Sequence, residues 1–160
     1  MSIAYVALGG NLGHPAEQMQ RALDALAQHP QVTSVSRSGF YRTAPVGYDN
    51  QPDFINAVAR VETSLPAMNL LQLLFALEHE GGRERSFANA PRTLDLDLLL
   101  YDDLVSTDPV MTLPHPRMHE RAFVLRPLAE IAPELSLPGH GPLDPLLEAC
   151  QDQRIERIAG

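Results

Sequence analysis

The segment from Leu94 to Leu100 limits the possible folds most strongly. It has leucine at every second position: Leu94, Leu96, Leu98 and Leu100. This alternation predicts a β-strand with a buried face, and the density of leucines indicates a strand at the centre of its sheet. The opposite face carries Asp95 and Asp97, so two carboxylates lie side by side on an otherwise apolar strand.

The order of the remaining elements predicts the fold class. Apolar patterns predict four strands, at Ile3–Leu8, Val32–Thr43, Phe54–Thr63 and Leu94–Leu100. Helical spacing predicts helices at Pro15 to about Gln28, Pro66 to near Gly81, from about Glu120, and over Leu143–Cys150. We read Gly9–Gly13 (GGNLG) as a tight turn and Arg83–Pro91 as a mobile loop. The resulting βαββαβ order is ferredoxin-like. We therefore predict an α+β fold in one domain, residues 1–160, with an antiparallel sheet between helical layers and extra C-terminal helices.

Composition excludes several classes of function. The net charge of −8 argues against a nucleic-acid-binding protein, which normally shows a basic footprint. All 12 basic residues are arginine, so chemistry that requires a lysine, such as a Schiff base or a P-loop, is excluded. Cys150 is the single cysteine, which leaves no internal disulfide and no cysteine zinc cluster. The first residues lack the basic start of a signal peptide, and no apolar run approaches the ~20 residues of a membrane span. We expect a cytoplasmic protein.

The paired carboxylates require an explanation. Residues two apart on a strand lie ~6.7 Å apart, where two negative charges repel by about 2 kcal/mol at an effective dielectric of about 20. A solvent-exposed strand face would relieve this cost. A hard divalent cation would also relieve it, because Mg²⁺ binds one or two carboxylates and takes further oxygens from water and phosphates. His115 and His119 have the i, i+4 spacing of a metal-binding helix, but Pro114 and Pro116 interrupt such a helix, so we do not expect a zinc pair.

Arginines surround the aspartate pair in the sequence. The segment holds Arg83, Arg85, Arg92, Arg117 and Arg121. Guanidinium groups match the geometry of phosphate oxygens. Together with a predicted Mg²⁺ site, they favour an enzyme that transfers or cleaves a phosphate group. The residues alone do not identify the acceptor.

Several separated segments resemble one family. They are GGNLG, FYRTAPVG, QPDFINA, PRTLDLDLLL and LPHPRMHERAFVLRPL. This pattern resembles the 6-hydroxymethyl-7,8-dihydropterin pyrophosphokinases of folate biosynthesis, and the match runs essentially end to end. The resemblance implies a ferredoxin-like fold and transfer of pyrophosphate from ATP to the hydroxymethyl group of the pterin, with release of AMP.

The resemblance also implies roles for particular residues. Asp95 and Asp97 would hold two Mg²⁺ ions that chelate ATP, and Arg83 and Arg92 would act on the phosphates as catalytic residues. The other implied ATP contacts are Glu78, Arg85, Leu98, Thr112, His115 and Arg121. The implied pterin contacts are Thr43, Ala44, Val46, Phe54, Asn56 and Phe123. The resemblance further implies a monomer whose partners are these two substrates, and we identify no general base.

Two other hypotheses remain open from the sequence. A Mg²⁺-dependent nucleotide phosphohydrolase would use the same carboxylates with water as the acceptor. A non-catalytic ligand-binding module is also compatible with a ferredoxin-like fold, because this fold hosts many functions.

Overall fold

The computed structural model describes residues 1–44, 51–80 and 94–158. The described helices are α1 (Pro15–Ala27), α2 (Ala67–Glu80), α3 (Ala122–Ile131) and α4 (Leu143–Ala149). The long strands are β1 (Ser2–Gly10), β2 (Val32–Arg37), β3 (Phe40–Thr43), β4 (Phe54–Thr63) and β5 (Asp95–Tyr101). The short strands are β6 (Ser106–Asp108), β7 (Met111–Leu113), β8 (Ser136–Leu137), β9 (Gly141–Pro142) and β10 (Glu156–Ile158).

The main sheet is antiparallel and has the order β10-β3-β4-β1-β5, with β2 also paired to β4. When β2 and β3 are counted as one interrupted strand, its core has the ferredoxin-like arrangement that the element order predicts. The described elements and the antiparallel sheet agree with the predicted α+β, ferredoxin-like fold class. None of the helices in the described ranges is both long enough and apolar enough to span a membrane.

The sheet lies between two hydrophobic cores. Alternate residues of β1 point to opposite faces, so Ala4, Val6 and Leu8 pack with helices α1 and α2. Tyr5 faces the other way and packs with α3 and α4. This three-layer arrangement agrees with the sequence-based prediction.

The predicted strand Val32–Thr43 is in fact two strands. Ser38 interrupts it, because its Oγ accepts a hydrogen bond from the backbone N–H of Val58 (3.0 Å) and donates one to the carbonyl of Gly39 (2.8 Å). The side chain thus replaces a regular partner in the ladder. Gly39 donates its backbone N–H to Glu130 instead (2.8 Å).

The alternation predicted for Leu94–Leu100 ends before Leu100. The register between β1 and β5 slips by one residue, since Tyr5 is opposite Leu100 whereas Val6 is opposite Leu98. Leu100 therefore joins the second core, whereas Leu94, Leu96 and Leu98 lie in the first. A slip of one residue reverses the face of every later side chain, and a hydrophobic pattern with leucines on both faces does not reveal it.

The prediction that the leucine-rich strand is central was also wrong, because β5 is the last strand of the described sheet. Its leucines are buried by layers on both faces rather than by strands on both sides. Gly9 and Gly10, predicted to lie in a turn, extend β1 opposite Asn56 and Ile55. Helix α3 begins at Ala122, since Glu120 ends a preceding 3₁₀ turn. The hairpin β6–β7 and strand β10 were not predicted.

Candidate active site

The register of three strands places the two aspartates beside small residues of the neighbouring strand, which form the floor of a cavity. Asp95 lies opposite Gly9, and Asp97 lies opposite Ala7, on the neighbouring strand β1. On the other side of β1, Gly9 lies opposite Asn56 of β4. Because Gly9 and Ala7 have little or no side chain, this part of the sheet leaves room for a ligand.

A cavity of about 650 Å³ lies above this floor, between the sheet and the N-terminal end of α3. The cavity is lined by many of the residues that the sequence predicts for the site: Thr43, Ala44, Phe54, Asn56, Asp95, Asp97, His115, Arg121 and Phe123. The structure therefore brings together residues from β3, β4, β5 and α3 that are far apart in the sequence.

The charged side of the cavity combines carboxylates with arginines. Asp95 and Asp97 are both partly buried, and Arg117, Arg121 and Arg154 also line the cavity. Burial lowers the pKa of Arg121, and Asp97 opposes this by raising it. A guanidinium keeps its charge in proteins, so Arg121 supplies a partly desolvated positive charge beside the aspartates.

His115 presents a neutral imidazole to the cavity. Burial, together with the positive charges of Arg121 and Arg117, lowers its pKa to about 4, although Asp95 acts in the opposite direction. Its Nδ1 accepts a hydrogen bond from the backbone N–H of Arg117 (3.3 Å). The proton of the neutral ring is therefore assigned to Nε2, which makes this side chain a hydrogen-bond donor at neutral pH.

The other end of the cavity has the features of a slot for a flat polar ring. The buried Asn56 donates from Nδ2 to the hydroxyl of Thr43 (2.9 Å), which fixes the orientation of its amide. Phe54 lies on the same face of β4 as Asn56, and both line the cavity with Phe123 of α3. The guanidinium carbon of Arg121 lies 5.4 Å from the ring centroid of Phe123, so the charged and aromatic parts of the site are adjacent.

The turn after β1 supports this end of the cavity. Buried Asn11 donates from Nδ2 to the side chain of Gln51 (2.7 Å) and to the carbonyl of Pro52 (2.9 Å). These bonds fix the chain just before Phe54. The turn thus acts on the site through the start of β4.

Some predicted site residues lie elsewhere. Leu98 is buried in the core on the opposite face of the sheet, and Thr112 lies on the β6–β7 hairpin, where its hydroxyl donates to the carbonyl of Asp108 (3.0 Å). Glu78 is buried and accepts a hydrogen bond from the backbone N–H of Leu96 (2.7 Å). None of these three is in the cavity lining, and their contacts with a nucleotide stay predictions.

Four further predicted residues, Val46, Arg83, Arg85 and Arg92, lie outside the described residues, as does the predicted loop Arg83–Pro91. His115 and His119, considered above as a metal pair, are separated in the fold. His115 lines the cavity, whereas the ring of His119 stacks on His140 at 3.9 Å between centroids.

Sequence reasoning missed Glu120, Gln153 and Arg154, which also line the cavity. Glu120 stands beside a predicted residue, so proximity in the sequence could have suggested it. Gln153 and Arg154 belong to the C-terminal segment, between helix α4, which packs with α3, and strand β10, which pairs with β3. No local pattern in the sequence indicates that pairing.

The donor set of the cavity fits a hard cation bound together with a substrate. Two carboxylates from one strand face offer oxygen ligands, and no group of three or more His, Cys, Asp or Glu side chains in the described ranges is arranged to bind a metal. Mg²⁺ commonly takes a small number of protein oxygens and completes its coordination with water and phosphate. The residues present therefore fit Mg²⁺ better than an all-protein metal site.

Comparison with known proteins identifies the class of the chain. The sequence pattern of the family described as 7,8-dihydro-6-hydroxymethylpterin-pyrophosphokinase (HPPK) matches residues 5–133. The chain is 47% identical to the 2-amino-4-hydroxy-6-hydroxymethyldihydropteridine pyrophosphokinase of Pseudomonas aeruginosa, over 98% of this chain and 96% of that protein. It is 42% identical to the protein of the same name from Haemophilus influenzae, over 99% of both chains.

Solved structures share the fold. A Plasmodium falciparum HPPK-DHPS A437G structure with pteroate has a TM-score of 0.70 and 14% identity, covering 92% of this chain. The chain spans 42% of that longer protein, and the likeness concerns the fold alone.

The fold, the cavity and these matches define an ATP-dependent transferase. More particularly, the chain belongs to the 7,8-dihydro-6-hydroxymethylpterin-pyrophosphokinase family.

Proposed function

We propose that the chain transfers pyrophosphate from ATP to the hydroxymethyl group of 6-hydroxymethyl-7,8-dihydropterin in folate biosynthesis, and that the cavity above β1 binds both substrates. The continuous row Asp95–Gly9–Asn56 across three strands is the observation that carries this proposal. It joins a carboxylate end suited to metal and polyphosphate with an amide end suited to a pterin edge. Membership of the family supports the same substrates.

The pterin end supplies recognition and orientation. Phe54 and Phe123 offer aromatic faces for stacking, as flat heterocycles prefer. Asn56 offers both a donor and an acceptor to the ring edge, and its bond to Thr43 sets which atom points into the cavity. Ala44 and Val46 complete the predicted pocket, Val46 from outside the described residues. Holding the hydroxymethyl group in line with the β-phosphorus would convert a two-substrate encounter into an oriented reaction.

The nucleotide end supplies charge. Asp95 and Asp97 would hold two Mg²⁺ ions, and the bound cations would neutralise charge on the phosphates. Arg121 and the Nε2–H of His115 add hydrogen-bond donors to phosphate oxygens from within a partly desolvated site. Arg83 and Arg92 are the predicted catalytic arginines, and Arg85, Glu78, Leu98 and Thr112 the remaining predicted ATP contacts.

In the reaction, the hydroxymethyl oxygen forms a bond to the β-phosphorus of ATP, and the bond from that phosphorus to the bridging α,β-oxygen breaks. AMP leaves with the electron pair of the broken bond, and the hydroxyl proton is released. His115 is unsuited to accept this proton, because its low pKa and its bond from Arg117 leave it as a donor at neutral pH. We further propose that the protein acts as a monomer in the cytoplasm on these two small substrates. The proposed function involves no nucleic acid.

One assay tests this function against the alternatives. The protein is incubated with Mg²⁺ and ATP, with and without 6-hydroxymethyl-7,8-dihydropterin, and AMP and ADP are measured. We expect AMP only when the pterin is present. Equal nucleotide cleavage without the pterin would favour a phosphohydrolase, and no turnover under either condition would favour a binding module.

The metal assignment has its own test. Asp97→Asn is expected to lower kcat by roughly 10²-fold or more, because it removes charge from a site that stabilises the transition state. Asp103→Asn, an exposed aspartate just after the same strand, is the matched control and is expected to retain normal turnover. In Asp97→Asn, but not in the control, we also expect weaker binding of Mn²⁺ in the presence of nucleotide, measured by electron paramagnetic resonance. A near-normal rate in that variant would contradict the metal role.

A further inference from the structure

Gln153 makes two hydrogen bonds to the backbone on either side of Arg121. Its side-chain Oε1 accepts from the backbone N–H of Ala122 (2.9 Å), and its Nε2 donates to the carbonyl of Glu120 (2.8 Å). The partners are 31 and 33 residues away in the sequence. The amide of Gln153 therefore clamps the short segment that carries Arg121.

Local backbone hydrogen bonds hold this segment, but no local side chain caps the start of the helix. Arg121 stands at the junction of the 3₁₀ turn Met118–Glu120 and helix α3, with an extended backbone (φ −116°, ψ 112°) and no capping hydrogen bond from its own side chain. The first N–H groups of a helix have no partner within the helix. Gln153 supplies one for Ala122, the first residue of the helix, from a distant part of the chain.

The clamp determines where two cavity residues point. Arg121 precedes Ala122 and Phe123 follows it, and the side chains of both line the cavity. Rotation of the backbone at this junction would move the guanidinium and the aromatic ring together. Because the ring and the guanidinium lie 5.4 Å apart, a small rotation changes both the aromatic and the charged part of the site.

Gln153 is itself held in place on both sides. On its N-terminal side, the backbone N–H of Gln153 donates to the carbonyl of Cys150, just after the end of α4 (3.1 Å). After it, β10 pairs with β3, and Arg157 of β10 bonds to Glu130 of α3 (3.1 Å). The clamp thus connects the N-terminal end of α3 to a segment that is also held at other points.

We propose that Gln153 is a positioning residue for pyrophosphoryl transfer, which sets the orientation of Arg121 and Phe123 through its two backbone hydrogen bonds. The inference rests on the proposed function of the cavity. It assigns to the C-terminal segment a part in substrate binding that no motif in the sequence indicates.

The test compares three variants. Gln153→Met keeps the approximate size of the side chain and removes both hydrogen bonds. Gln153→Glu keeps the acceptor for the N–H of Ala122 and loses the donor to Glu120. Gln151→Ala changes an exposed glutamine two residues away that does not line the cavity, and it serves as the control.

We expect Gln153→Met to raise KM for ATP and for the pterin and to lower kcat/KM by roughly 10-fold or more, since misplacement of a binding group reduces rate strongly. Gln153→Glu should recover part of this loss, and Gln151→Ala should behave as the wild type. In an Arg121→Ala background the further effect of Gln153→Met on KM for ATP should shrink, because the two residues then share one role. Unchanged KM values in Gln153→Met, or losses that add fully in the double variant, would overturn the proposal.

A second readout is independent of turnover. In protein labelled with ¹⁵N, the Nε–H resonance of Arg121 should shift in Gln153→Met and stay unchanged in Gln151→Ala. An unchanged resonance would contradict positioning even if activity fell. Failure of the wild type to form AMP would reject the proposed function, whereas this resonance would still decide whether Gln153 sets the position of Arg121.

Discussion

The buried imidazole of His115 makes the stability of the protein depend on pH in a direction that can be worked out. Its pKa in the folded protein is about 4, lowered mainly by burial and then by Arg121 and Arg117, against an unperturbed value of 6.5. As pH falls through about 6.5, the unfolded chain takes up a proton at this residue and the folded chain does not. His115 therefore destabilises the folded protein progressively between about pH 6.5 and pH 4.

The size of this effect follows from the separation of the two pKa values. Each pH unit between them is worth about 1.4 kcal/mol, so the penalty at about pH 5 is at most about 2 kcal/mol. His115 retains partial contact with solvent, and we expect a measured value on the order of 1–2 kcal/mol because solvent screens its interactions.

The assay is urea unfolding of the wild type and His115→Gln at about pH 7.5 and about pH 5. Carboxylates titrate in both proteins, so the difference between the two pH dependences isolates the histidine. We expect the wild type to lose about 1–2 kcal/mol more than the variant on acidification. His79→Gln, at an exposed position near the end of α2, should show the pH dependence of the wild type. Identical pH dependence in the wild type and His115→Gln would refute the reasoning, as would a greater loss in the variant.

Further predictions concern the floor of the cavity and the fixing of β10. A Cβ added at Gly9 would meet Asn56 Oδ1 at 3.4 Å, so Gly9→Ala should be tolerated, whereas Gly9→Val should raise KM for the pterin by roughly 10-fold through lost space and contacts. Retention of normal KM by Gly9→Val would show that the ligand does not lie above this residue. Burial raises the pKa of Glu130, but hydrogen bonds from Arg157, Tyr41 and Gly39 outweigh it and lower the pKa to about 2. Its charged form therefore stabilises the fold above about pH 4.5 and loses this effect as pH falls towards 2. Glu130→Gln should cost about 1–2 kcal/mol in urea unfolding at neutral pH, with a smaller difference from the wild type in acid. No loss at neutral pH would contradict this account.

Sequence periodicity predicts those parts of the site that lie on regular strands. Alternation alone places Asp95 with Asp97, and Phe54 with Asn56, because side chains two apart on a strand share a face. The structure shows each pair lining the cavity. Which strands are neighbours is a tertiary property, and it is the pairing of β1 with both β4 and β5 that brings the two pairs together.

Other features depend on irregularities that have no periodic signal. The register slip near Leu99 moves Leu100 to the opposite core, and the side chain of Ser38 breaks a strand by replacing a backbone partner. Gln153 and Arg154 reach the site through the tertiary contacts of the C-terminal segment, including the pairing of β10 with β3. Each of these results from contacts between residues distant in sequence, which local patterns cannot specify.

The contact between Glu78 and Leu96 also bears on the edge of the described sheet. Strand β5 lies at the end of the described sheet, and an unpaired strand edge is a template for adding a strand from another molecule. Here the carboxylate of Glu78 accepts a hydrogen bond from the backbone N–H of Leu96. The carbonyl of Leu99 accepts one from the backbone N–H of His115 (2.9 Å). Non-strand partners thus take up hydrogen-bonding groups that an incoming strand would need. These two contacts therefore oppose the addition of a strand along the described edge of β5, while one face of the same strand presents Asp95 and Asp97 to the cavity.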